Sequence, residues 1–111
     1  PDVTFGRGSR EAAHCAIGTI IFAGVRMTNN VSIGDFCTIN LSATVSHDVV
    51  LGNYANISPG ANIAGNVEIG EGAWIGVGAA INQGLDQHKL AIGAWSVIGS
   101  GAVVISQCDA G

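Results

Sequence analysis

The sequence predicts an all-β chain wound as a parallel β-helix, and three observations carry that prediction. An aliphatic residue stands at every sixth position, a small or β-branched residue stands two before it, and small or turn-forming residues follow it. Reading in steps of six gives Ile21, Met27, Ile33, Ile39, Val45, Leu51, Ile57, Ile63, Ile69, Ile75 and Ile81. With 29 of 111 residues being Ile, Leu, Val or Met, an unbroken run of this length in a chosen register arises by chance on the order of once in a million.

The residues two before the anchors are Val31, Cys37, Ala43, Val49, Ala55, Ala61, Val67, Ala73 and Ala79. That spacing is the strand period, so each of these shares a face with its anchor. Gly34, Gly52, Gly70 and Gly76 directly follow anchors, where a backbone must turn tightly. A six-residue unit cannot bury its own face. Three of them close a triangular coil of 18 residues whose interior the anchors fill. Ile21, Ile39, Ile57 and Ile75 should therefore stack, and the anchors suffice for about five coils. A sandwich would show turn signals every 8–12 residues, and a helix would show a 3.6-residue period.

Composition agrees with many corners and a packed core. The chain is 48% hydrophobic with 17 glycines, but only 11% charged and 5% aromatic. Helix surfaces would carry more charge, and each helical glycine would cost about 1 kcal/mol.

The rhythm defines the organisation along the chain. Before Ile21 it is lost, so residues 1–20 are expected to form an N-terminal arm or an imperfect first coil, and residues 21–111 the β-helix itself. It resumes at Ile92, Ile98 and Val104, eleven residues after Ile81 instead of six. Removing Asp86 to Leu90 restores the register, so those five residues are predicted to protrude from one corner as a loop.

The formal charge is −4, with Arg7, Arg10, Arg26 and Lys89 as the basic residues, which excludes the basic stripe a nucleic-acid backbone demands. The apolar stretch from Ile17 to Val25 is about half of what a bilayer span needs, so no membrane partner is expected and a cytoplasmic location is the default. Cys15, Cys37 and Cys108 have neither disulfide-framework nor zinc-knuckle spacing and read as buried small hydrophobes.

The candidate chemistry lies at one corner. His47 falls two residues past an anchor, so its imidazole should point outward. Gly65 stands at the same corner one coil later, and without a side chain it leaves its backbone N–H uncovered beneath the ring. Thioester acyl transfer needs a base for the acceptor's proton and a donor for the developing oxyanion. Asp48 adjoins His47 and could orient the ring, although Asp is also an ordinary turn residue.

The segments Val45-Ser46-His47-Asp48, Leu51-Gly52-Asn53, Ile57-Ser58-Pro59-Gly60 and Ile63-Ala64-Gly65-Asn66-Val67-Glu68-Ile69-Gly70 go beyond a bare six-residue rhythm. From Ile21 to Val104 the chain resembles the hexapeptide-repeat acyltransferases, in particular the acetyltransferase domain of the NeuD/PglD-like sugar O- and N-acetyltransferases. The resemblance implies a left-handed coil, a homotrimer, and acetyl-CoA as acyl donor without any metal. It implies His47 as general base, Asp48 raising its basicity, and the Gly65 amide facing the acetyl carbonyl. It further implies acetyl-CoA contacts at Asn56, Val77 and Ser100 and an acceptor-side polar residue at Asn40. Asn56 departs from the histidine common at its position, yet still donates a hydrogen bond. Lys89, the only basic residue after Arg26, is expected to meet a CoA phosphate. The family also implies a preceding nucleotide-fold domain and a C-terminal tail, neither of which is among these residues.

The function expected is thus CoA-dependent acetyl transfer to an amine or hydroxyl of a sugar or other small acceptor. A non-catalytic scaffold or interaction module, as a degenerate transferase, is the alternative. A γ-class carbonic anhydrase fits poorly, because His14, His47 and His88 lack the spacing for a shared zinc. Trp74 and Trp95 read as packing or subunit-seam residues.

Overall fold

The computed structural model describes residues 4–5, 14–15 and 17–107, and for the first two pairs only their strand pairing. Among them no helix occurs, and hence none long and apolar enough to cross a membrane. Among the described residues sixteen short strands stack in three parallel sheets that form the sides of a left-handed triangular prism. The first sheet is Thr4–Phe5, Arg26–Met27, Thr44–Val45, Asn62–Ile63, Ala80–Ile81 and Val103–Val104. The second is His14–Cys15, Ser32–Ile33, Val50–Leu51, Val67–Ile69 and Leu90–Ile92. The third is Ile20–Ile21, Thr38–Ile39, Asn56–Ile57, Trp74–Ile75 and Val97–Ile98.

Strands pair one coil away, 18 residues on through the middle of the chain, as Asn62 against Thr44 and Trp74 against Asn56, and 23 residues on across the insertion, as Val97 against Trp74. The backbone ladder is continuous between coils, as in Thr38 N–H to the Ala55 carbonyl at 3.0 Å and Asn56 N–H to the Ala73 carbonyl at 2.9 Å. Two-residue strands suffice because backbone groups find partners either one coil away or within the corner itself, as in Ala55 N–H to the Gly52 carbonyl at 3.2 Å. Strand pairing begins before Ile21: Thr4–Phe5 lies on Arg26–Met27, and His14–Cys15 on Ser32–Ile33. The remaining residues of 1–16, and 108–111, lie outside the described part, as do the side chains of Cys15 and Cys108.

The anchors and their partners two residues earlier fill the interior. Ile39, Ile57 and Ile75 are fully buried in one ladder, with Cys37, Ala55 and Ala73 in the ladder beside it. The small second ladder leaves room for the large first one where the three sheets converge. Burial also pushes the Cys37 thiol pKa up.

The corners repeat in register. Their third residue takes a left-handed conformation, at φ of 58° for Asn30, 56° for Asp48 and 58° for Asn66 between the first and second sheets. Asn and Asp tolerate that region better than most side chains. Between the second and third sheets the same position carries Phe36 and Tyr54, stacked at 5.5 Å, and Trp95. A Cβ at Gly72 would sit 2.2 Å from the Trp95 ring, so the indole lies flat on a glycine.

The insertion differs from expectation by its last residue. Leu90 pairs with Val67 and is buried, whereas Leu85 is 69% exposed. The protruding residues are therefore Leu85 to Lys89, and Leu90 belongs to the sheet. They fold into a small hairpin in which Leu85 and His88 exchange both backbone hydrogen bonds at 3.0 Å. It grows from the corner between the first and second sheets, the corner that carries His47.

Candidate active site

His47 and Asp48 follow the strand Thr44–Val45, after Ser46, at the turn from the first sheet to the second. Both neighbouring coils hold this turn. Asp48 N–H donates to the Asn29 carbonyl at 3.0 Å, and the His47 carbonyl accepts from Asn66 N–H at 2.9 Å. The left-handed backbone at Asp48 brings its side chain back toward the preceding ring. His47 Nδ1 lies 3.0 Å from Asp48 Oδ2, with 45% of the imidazole and 37% of the carboxylate exposed.

The other ring nitrogen faces the next coil. A Cβ built on Gly65 would lie 2.3 Å from His47 Nε2 and 2.5 Å from Cε1. Only a glycine lets the imidazole occupy this place. Gly65 is itself buried under the ring. A carboxylate can only accept, so Nδ1 is the donor whenever it bonds Asp48. Neutral His47 then presents an unprotonated Nε2, the form a general base requires.

Asp48 is held from two further directions. Asn30, one coil earlier at the same corner position, donates from Nδ2 to Asp48 Oδ1 at 2.5 Å. The Asn30 hydrogen bond, then that of His47, hold the Asp48 carboxyl below the usual carboxylate range, with smaller charge contributions from His47 and Lys89. Lys89 reaches from the hairpin to the Asp48 backbone carbonyl. Asn66 Nδ2 donates to Asp86 Oδ1 at 3.1 Å and ties the hairpin to the coil beneath it. The structure thus gives the Lys89 ammonium a partner within the His47 corner.

The remaining expected residues lie elsewhere. Asn40, Val77 and Ser100 occupy the corner between the third and first sheets, and Asn56 sits on the third sheet beside it. Asn40 Oδ1 accepts from Leu41 N–H at 2.8 Å, and Asn56 Nδ2 donates to Ser58 Oγ at 3.1 Å. Val77 is 54% exposed, and Ser100 is exposed too. Within one chain, Asn40, Val77 and Ser100 therefore stand at the opposite edge of the first sheet from His47, Asp48, Gly65 and Lys89, with Asn56 on the third sheet beyond that edge. Across the sheet between them runs a shallow hollow of about 350 Å³, lined by Thr44, Ser46, Asn62, Ala64, Asn82 and Val103 among others. Among the described residues no three His, Cys, Asp or Glu side chains gather as a metal site.

Asn30, Asn66 and Asp86 were not among the residues the sequence picked out. The signal for the first two was present: Asn30, Asp48 and Asn66 are spaced by one coil and share a corner position.

Neither a protein-family profile nor a curated protein sequence matches the chain. Solved structures do. The acetyltransferase domain of PglB from Neisseria gonorrhoeae is 30% identical with a TM-score of 0.85, over 97% of this chain and 48% of that one. WeeI from Acinetobacter baumannii is 34% identical with a TM-score of 0.87, over 99% of this chain and 50% of that one. PerB from Caulobacter crescentus, solved with CoA and GDP-perosamine, is 32% identical with a TM-score of 0.78, over 100% of this chain and 46% of that one. Over nearly its whole length the chain is thus similar to structures of hexapeptide-repeat sugar acetyltransferases of the NeuD/PglD type. It spans about half the length of each of these three structures. The PglB domain has also been solved with acetyl coenzyme A.

Proposed function

We propose that the chain is the acetyl-transferring part of a CoA-dependent acetyltransferase acting on an amine or hydroxyl of a sugar or related small acceptor. The observation that carries this reading is the His47 corner: an imidazole braced through Nδ1 by Asp48, with Nε2 open over a glycine that nothing but glycine could replace. Complexes of similar proteins with acetyl coenzyme A, and with CoA and GDP-perosamine, support the donor and the acceptor class.

In this mechanism the acceptor's N–H or O–H points at Nε2. Its nitrogen or oxygen attacks the thioester carbonyl carbon while Nε2 takes the proton. The Gly65 N–H faces the carbonyl oxygen as negative charge develops there. The tetrahedral intermediate then collapses, the carbon–sulfur bond breaks, and CoA leaves as the thiol with the proton from the imidazolium. Asp48 stabilises that imidazolium and holds Nδ1 as the donor. No covalent bond to the enzyme and no metal enters.

Asn56, Val77 and Ser100 are proposed to contact acetyl-CoA, and Asn40 the acceptor. Their place at the far edge of the first sheet supports a homotrimer, in which that edge of one subunit meets the His47 corner of the next. Acetyl-CoA is an intracellular metabolite, so a cytoplasmic location goes with this proposal. The test is a screen of amino sugars, hydroxyl sugars and sugar nucleotides with acetyl-CoA, following free thiol and product mass. An acetylated product with stoichiometric CoA supports the reading. Saturable acetyl-CoA binding with no product from any acceptor rejects transfer and leaves a binding module, and absence of binding leaves a scaffold.

A further inference from the structure

The geometry points to Asn30 as a positioning residue for His47, acting through Asp48 from the coil before the catalytic corner; this rests on the acetyltransferase reading above. Asp48 has two oxygens and both are used. Oδ2 faces His47 Nδ1 at 3.0 Å, and Oδ1 accepts from Asn30 Nδ2 at 2.5 Å. A carboxylate held at one oxygen can still turn about its side-chain bonds, and one held at both has a fixed plane. The direction of the Asn30 amide is set by its partner, because a carboxylate offers no hydrogen to the amide oxygen.

Asn30 occupies the corner position that Asp48 occupies one coil later, both with left-handed backbone. The β-helix register, rather than a flexible side chain reaching across a gap, brings the amide to the carboxylate. The Asp48 main chain is held independently, by Asn29 from one side and by Lys89 at its carbonyl. Asn30 is thus the group that sets the carboxylate's plane, while the corner backbone stays in place without it. The charged groups near the His47–Asp48 pair are Lys89 on the hairpin and Asp86, whose carboxylate is occupied by Asn66.

The consequence falls on the histidine tautomer. With the carboxylate plane fixed, Nδ1 carries the proton and Nε2 stays bare over Gly65. Without Asn30 the carboxylate rotates, and the proton is shared between the two ring nitrogens. Only the fraction with bare Nε2 can act as base.

The test compares wild type, Asn30→Ala and Asn30→Asp. The aspartate keeps the size and the tolerance of left-handed backbone while replacing the donor with a second negative charge, whereas the alanine removes the donor without adding charge. Long-range proton–nitrogen spectra of uniformly ¹⁵N-labelled protein read the His47 tautomer and its titration directly. The expected result is a single Nδ1-protonated form in wild type and a mixture in both variants. Thermal unfolding should shift down modestly at neutral pH in both variants, because the hydrogen bond to Asp48 is lost. Acetyl-CoA affinity should be essentially unchanged, and the transfer rate should fall about 10- to 100-fold, the scale of losing an outer partner to a functional histidine. An unaltered His47 spectrum in both variants overturns the inference, whatever the rates. If wild type transfers no acetyl group, the functional reading fails, and the spectra still decide whether Asn30 orients His47.

Discussion

At the scale of single residues, the account depends on an imidazole whose Nδ1 is held by Asp48 while Nε2 stays open over Gly65. Gly65→Ala would place a methyl group 2.3 Å from Nε2 and force the ring aside. Transfer is expected to fall by about a hundredfold, since an ångström of misplacement costs that much, with the chain still folded by circular dichroism. Asp48→Asn removes the charge that holds Nδ1 as the donor, so the transfer rate should fall. Asp48 also links stability to acid. Its carboxyl is held low in the folded chain, chiefly by Asn30 and then by His47, so its contribution is complete above the ordinary carboxyl range. That contribution is lost as pH falls through the depressed folded value. Asp48→Asn should therefore lose less thermal stability than wild type on acidification below about pH 4, near the unperturbed Asp pKa. A larger loss in the variant would contradict the assigned hydrogen bonds.

At the scale of elements, the structure is a stack of interchangeable turns, and stability resides in the ladders. Ile57 is fully buried between Ile39 and Ile75, so Ile57→Ala should cost about 2–5 kcal/mol in denaturant unfolding. The ladder was legible in the sequence because burial enforces the six-residue spacing at every coil. The hairpin was less so. Leu85 and Leu90 are alike, and removing residues 85–89 or 86–90 yields the same sequence, so spacing cannot say which leucine belongs to the core. The choice is tertiary: Leu90 pairs with Val67 while Leu85 closes the hairpin. The His47 corner was legible from spacing and resemblance together. Its braces were missed because a hydrogen bond between Asn30 and Asp48 leaves no mark in hydrophobic rhythm, and Lys89 turns toward Asp48 only once the hairpin has formed. Deleting Leu85 to Lys89 should leave a folded β-helix by circular dichroism, because the resulting chain keeps the 18-residue register. Loss of the cooperative unfolding transition would show that the hairpin supports the stack.

At the scale of the whole molecule, the groups proposed to handle the acyl donor stand on one edge of the first sheet and the base on the other. A working site assembled between subunits reconciles these positions, and sedimentation equilibrium at micromolar concentration should then report a trimer. A monomer that transfers acetyl groups would place the donor across the hollow of the first sheet instead. The central claim is that His47 is the base. The direct measurement is the acetyl-transfer rate of His47→Ala against wild type on an acceptor found in the screen, with acetyl-CoA affinity measured in parallel. The ring lies outside the interior ladders, so the variant should stay folded and bind acetyl-CoA with nearly unchanged affinity. Its transfer rate should fall by about 10²–10⁴, the usual worth of a positioned base. Transfer by His47→Ala at the wild-type rate would contradict the mechanism at its centre.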